Sequence, residues 1–188
     1  MSDRIGRIEE IDELLTNEIS ETFCLAKWHH TTIYLHRGQT HSCYHPKPHD
    51  IPLQELKYDP SVLHNTPQKI DERIQMLNGD KPSGCQYCWN VEEMDENKAE
   101  GEEKHVSDRH IRNSSIYTED RLNEIIYNPP DYKINPEYVE IAFSNECNFK
   151  CGYCHPMHSS LYRAEIKKHG PYNMVSNHQA DIDWFDIY

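Results

Sequence analysis

Seven cysteines, four between positions 24 and 88 and three between 147 and 154, constrain this 188-residue chain more than any other feature. The first set, Cys24, Cys43, Cys85 and Cys88, has the form C-x13-G-x4-C followed by C-x2-C, with Gly38 at the glycine. The second set, Cys147, Cys151 and Cys154, reads C-x3-C-x2-C. An odd count sits badly with full disulfide pairing and divides naturally into four and three. The chain also has little apolar material to bury, with 36% hydrophobic residues and a mean hydropathy of -0.90. Its 12 Tyr and 3 Trp are nevertheless unlike a disordered segment. Such a chain needs a device beyond side-chain burial, and metal cross-linking is one.

Charge narrows the partners. A formal net charge of -13 argues against a nucleic-acid backbone, which needs clustered Lys and Arg. No apolar run approaches the ~20 residues of a membrane span. The opening MSDRIGRIEEIDELL is acidic and lacks the apolar core of a signal peptide. The expected location is therefore cytoplasmic, where thiols stay reduced and cysteine clusters point to metal.

Periodicity predicts a helix over 3–20, with Ile5, Ile8, Ile11, Leu14 and Leu15 at helical spacing. A short hairpin is expected from Thr31 to Ser42, turning near Arg37-Gly38, with Ile33 and Leu35 alternating with Tyr34 and His36. Pro46, Pro48 and Pro52 mark a loop. A helix from Pro67 to Leu77 presents Ile70, Ile74 and Leu77 on one face and ends at Asn78-Gly79. The stretch 92–110, rich in Glu and Asp, reads as a solvated linker. A short helix is expected over 118–127, and YVEIAF (138–143) reads as a buried-type strand running toward Cys147. The expected organisation is a cysteine domain over 1–91, an acidic linker with a short helix over 92–136, and a second domain from 137 to 188.

Three thiolates as close as Cys147, Cys151 and Cys154 can ligate three corners of one iron–sulfur cubane. The missing fourth ligand leaves a metal corner open to substrate or cofactor. A zinc knuckle completed by His155 or His158 is the alternative from the same residues. The motif resembles the signature of the radical S-adenosylmethionine (SAM) superfamily, including Tyr153 before the third cysteine and the strand before the first. That resemblance implies a [4Fe–4S] cluster on Cys147, Cys151 and Cys154, with SAM chelating the open iron and Tyr153 near the adenine. It implies reductive cleavage of SAM to methionine and a 5′-deoxyadenosyl radical that abstracts hydrogen, the hard chemistry belonging to the cofactors.

Gly38 permits a turn that brings Cys43 back beside Cys24, and the later Cys85/Cys88 pair can clip the same metal. The arrangement resembles the auxiliary-cluster region called SPASM or, in its shortened form, twitch. The absence of further cysteines before residue 147 matches the twitch type better. Its resemblance implies one auxiliary [4Fe–4S] cluster on Cys24, Cys43, Cys85 and Cys88, for which a structural zinc is the alternative. Here the set precedes the SAM motif, whereas in most such enzymes it follows.

Other residues receive blander readings. His29, His30, His36, His41, His45, His49 and His64 are assigned to loop polarity and hydrogen bonding, and Trp28 and Trp89 to shielding. Lys69 and Arg73 are taken as solvated helix charges by default. Only 34 residues follow Cys154, whereas a full eight-unit barrel needs about 200 or more. The expected fold is therefore α/β: the start of a partial (β/α) radical SAM barrel preceded by a small irregular α+β metal-cluster domain. Enzyme status stays open, because the motif is catalytic while the barrel looks truncated. The expected partners are SAM, a peptide or protein substrate, a reductant such as flavodoxin or ferredoxin, and a second chain completing the barrel. The alternative is a non-enzymatic zinc- or iron–sulfur-binding scaffold or electron-transfer module.

Overall fold

The computed structural model describes residues 2–96, 105–151 and 156–170. The chain divides into two units, Met1–Phe143 and Ser144–Tyr188. This division falls after the strand at 138–142, later than the acidic stretch where the sequence suggests a boundary.

In the first unit, α1 (Ser2–Glu18) buries Ile8, Ile11 and Leu15, residues at i, i+3 and i+7 that share one face. Ile5 extends the same pattern but lies exposed beyond the end of the packed stripe. A fully buried short helix, α2 (Ala26–His29), leads directly into β1 (His30–Tyr34). The hairpin then forms as expected. β1 pairs antiparallel with β2 (Gln39–His41), and Gly38 takes the positive φ of 66° that closes the turn. β2 continues to β3 (His49–Asp50), and β4 (Tyr138–Ala142) lies parallel to β1 in the register Ile33↔Ile141. β4 is not the buried-type strand its apolar run suggests: Tyr138, Val139 and Ile141 are exposed, because it ends the sheet order and pairs on one side only among the described residues. The four-stranded sheet has the order β3-β2-β1-β4, so the fold is a mixture of helices with a small mixed sheet.

The remaining elements of this unit are helical. α3 (Leu53–Leu56) is followed by α4 (Pro67–Leu77), which Thr66 caps by accepting from the Lys69 amide and Pro67 opens at its first position. α5 (Gln86–Glu96), α6 (Asp108–Ile116) and α7 (Glu119–Ile126) complete the set, with Ser107 and Thr118 capping the last two. The stretch 92–110 is thus not one solvated linker among the described residues. α5 runs to Glu96, α6 begins at Asp108, and Glu92 accepts hydrogen bonds from both Ser107 and Arg109.

Two apolar clusters result. The larger joins Ile11, Leu15, Phe23, Leu25, Trp28, Met76, Trp89, Leu122 and Ile125 to three of the cysteines; the smaller is Ile33, Ile51 and Val62. α4 departs most from its sequence reading. Its buried face carries Lys69, Glu72, Arg73 and Met76, while Ile70, Ile74 and Leu77 are only half-buried. Lys69 and Arg73 are therefore not solvated charges; both are fully enclosed. The reason is partnership. Lys69 Nζ donates to Thr31 and Thr40 at 2.8 and 3.0 Å, and Arg73 donates to Lys27 O at 2.9 Å and Asn65 Oδ1 at 2.7 Å. Periodicity alone cannot show that charged positions have buried partners waiting elsewhere in the chain.

In the second unit, α8 (Ser160–His169) follows a 3-10 turn over Pro156–His158 and is capped by Ser159. Among the described residues no helix is long and apolar enough to cross a membrane.

Candidate metal centres

Cys24, Cys43, Cys85 and Cys88 come from three separate stretches of chain and line one cavity, together with Lys27, Tyr44, His45, Met76, Asp108, Arg109 and Arg112. Each is delivered differently. Cys24 immediately precedes α2, and its carbonyl accepts from the Lys27 amide at 2.9 Å. Cys43 follows β2, returned there by the Gly38 turn. Cys85 closes a 3-10 turn at Ser83–Cys85, and Cys88 sits in the first turn of α5. Gly84 is needed for close approach: a Cβ there would stand 2.9 Å from Glu72 Oε1.

Helix α6 holds the Cys24 segment in place. Asn113, fully buried, accepts from the Leu25 amide at 2.8 Å and donates to Phe23 O at 3.0 Å, bracketing the cysteine on both sides. Arg109 adds a second donor to Phe23 O at 3.0 Å and is itself held by Glu92. Trp28 and Trp89 are buried in the same cluster; Trp89 Nε1 donates to Pro82 O at 2.9 Å, and Arg109 lies over its ring.

Electrostatics shows how near the four thiols are. Burial pushes Cys24 far above the ordinary thiol range, and Cys43, Cys85 and Cys88 each push it further. Cys85 is pushed up to about 11 and Cys88 to about 12, in both cases chiefly by burial. Burial also raises Cys43. Thiols raised in this way stay protonated at neutral pH unless a cation enters among them. The backbone of His45 opposes the rise at Cys43, that of Arg109 at Cys88, and the Lys27 charge at Cys85. Among the described residues no group of three or more His, Cys, Asp or Glu side chains is arranged so that it could hold a metal ion.

The histidines hold structural bonds. His49 reaches Thr66 at 2.7 Å, His64 reaches Trp28 O at 2.6 Å, and His41 reaches Tyr34 OH at 3.3 Å. His30 packs on the Tyr138 ring, and His36 lies 3.5 Å from Ala142 O. His29 is buried, its ring nitrogens making no hydrogen bond among the described residues, with Nδ1 3.9 Å from Glu137 Oε1. His45 lines the cavity, pairing with Asp108 at 2.8 Å and stacking on Tyr87.

Lys27, Arg109, Arg112 and Asn113 are the site residues that sequence reasoning missed. Lys27 lies three positions after Cys24. Arg109, Asn113 and Ile116 repeat at helical spacing behind a capping Ser107, a signal hidden by the acidic stretch before it.

The three-cysteine loop belongs to the second unit. Cys147 and Cys151 are half-exposed, while Tyr153, Cys154 and His155 lie outside the described residues. The loop is tied to the start of α8. Cys147 N donates to Ser160 Oγ at 3.1 Å, Ser160 N donates to Asn145 O at 2.9 Å, and Ser159 Oγ donates to Phe149 O at 3.1 Å. Tyr162 OH donates to Cys151 O at 2.8 Å, and Lys150 pairs with Glu165. The Cys147 sulfur also meets the loop backbone, accepting from the Phe149 amide at 3.4 Å and lying 3.9 Å from Phe149 O.

No protein-family model matches the chain, and neither a curated protein nor a solved structure matches it.

Proposed function

We propose that the chain is an iron–sulfur protein of the radical SAM type, with a twitch-like auxiliary cluster. The observation that carries the reading is the gathering of Cys24, Cys43, Cys85 and Cys88 around one cavity, in a chain whose sequence also carries a C-x3-C-x2-C motif. The donor set fits iron–sulfur ligation, for which thiolate is the usual ligand. A structural zinc is the alternative for the same four thiolates.

In this reading Cys147, Cys151 and Cys154 hold the first [4Fe–4S] cluster and leave one iron for SAM. Bound there, cluster and SAM supply reductive cleavage to methionine and a 5′-deoxyadenosyl radical for hydrogen abstraction. The protein fixes the loop through Ser159, Ser160 and Tyr162, and the motif resemblance assigns Tyr153 to the adenine. Cys24, Cys43, Cys85 and Cys88 hold the auxiliary cluster, with Trp28 and Trp89 excluding water around it. The substrate class is a peptide or protein, and flavodoxin or ferredoxin supplies the electron.

β4 is the candidate first strand of a barrel. It runs parallel to β1, it is the edge strand, and Val139, Ile141 and Phe143 lie exposed along it. An exposed edge of this kind is a place where a further strand can add. A second polypeptide would complete the barrel there.

The test is the electron-spin spectrum of the anaerobically reduced protein with and without SAM. A SAM-induced change that disappears in Cys151→Ala supports the reading. A spectrum indifferent to SAM, with iron and sulfide present, reduces the protein to an electron-transfer or scaffold module.

A further inference from the structure

The wall of the four-cysteine cavity carries a buried ion pair. Lys27, which lines the cavity with all four cysteines, is enclosed, with 2% of its side chain exposed, and its ammonium donates to the Glu72 carboxylate. Glu72 reaches the same segment from α4, its carboxylate lying against Gly84, the neighbour of Cys85, and accepting from Gln68 at 3.3 Å.

Resting on the reading of this site as a [4Fe–4S] centre, we propose that the Lys27–Glu72 pair on the cavity wall sets the reduction potential of the four-cysteine cluster. An ion pair between two enclosed side chains is a poor source of stability. Here it stands beside four ligand cysteines, where net charge is a lever on cluster potential. Reduction adds one electron to the core, from 2+ to 1+. With four thiolates the centre passes from a net charge of 2− to 3−, and no bond or proton moves. A nearby cation favours the more negative state and raises the potential; a nearby carboxylate lowers it.

The experiment is a dithionite titration of the anaerobic full-length chain carrying Cys147→Ala, Cys151→Ala and Cys154→Ala, so that one cluster remains. The midpoint is read from visible absorbance and the electron-spin signal. Lys27→Met is expected to lower the midpoint, Glu72→Gln to raise it, and Lys27→Arg to leave it close to the reference. Shifts of the same sign in the first two, or an unmoved midpoint with iron and sulfide retained, overturn the proposal. Where Lys27→Met fails to keep its cluster, Glu72→Gln decides: an upward shift supports the proposal and an unmoved or lowered midpoint rejects it. Absence of acid-labile sulfide from the reference protein is seen before any titration. It would reject the cluster reading, and this proposal with it.

Discussion

Arg73 shows what the core of this protein asks of single residues. It is fully buried, paired with no carboxylate among the described residues, and donates to Lys27 O and Asn65 Oδ1, with Trp28 beneath it. Hydrogen bonds from charged donors contribute about 1.5–3 kcal/mol each. Arg73→Met should therefore lower the unfolding free energy by about 3 kcal/mol or more, read from urea denaturation. Arg73→Lys should not restore it, because an ammonium lacks the planar fork. The buried histidines make a second prediction. Burial lowers His29, His30 and His49 to about 4 and His64 to about 2. An unfolded histidine titrates near 6.5. Between that pH and about 4 the unfolded chain binds protons that the native state refuses, so stability is present above pH ~6.5 and falls as pH drops. The urea midpoint should be lower at pH 5 than at pH 7.5. A midpoint that rises on acidification would contradict this assignment. At the four-cysteine site the same physics acts on metal: thiols raised by burial must release protons on loading, so apparent metal affinity should increase with pH.

Among the elements, α6 matters most to the site. Its Asn113 satisfies the backbone on both sides of Cys24, and removing it leaves the enclosed Leu25 amide without a partner. Asn113→Ala should cost about 2 kcal/mol and reduce metal retention at the four-cysteine centre while leaving the three-cysteine loop loaded. Metal analysis of that variant in a Cys151→Ala background checks the second part. Elements with their own local signals were legible in the sequence. Thr66-Pro67 opens α4 and Asn78-Gly79 closes it, and Arg37-Gly38 turns the hairpin. What was not legible depends on partners far along the chain. Lys69 reaches back to Thr31 and Arg73 to Lys27, so the α4 face assigned to solvent is the one that is buried. Likewise α6 was concealed because its buried residues are Arg109 and Asn113, which read as polar surface until Glu92, Phe23 and Leu25 are seen against them. The C-x13-G-x4-C spacing shows which cysteines can meet, since a glycine turn and a hairpin are local devices. It carries no sign of the Lys27 and Glu72 charges beside them.

At the level of the whole molecule, an unusually polar chain is organised around its cysteines. Cys24, Cys85 and Cys88 are members of the larger apolar cluster, with Phe23, Trp28 and Trp89 packed in the same group. A centre built into the core in this way couples metal to folding. Stripping the metal should lower the thermal unfolding temperature of the first unit, and calorimetry before and after chelation under reducing conditions measures it. The central claim is that this centre, like the three-cysteine loop, holds an iron–sulfur cluster. Metal and acid-labile sulfide analysis of the anaerobically purified chain tests it most directly. The account predicts iron and sulfide at about four each per site, reduced by about half in Cys85→Ala/Cys88→Ala and again by about half in Cys151→Ala. Near-stoichiometric zinc without labile sulfide would contradict it.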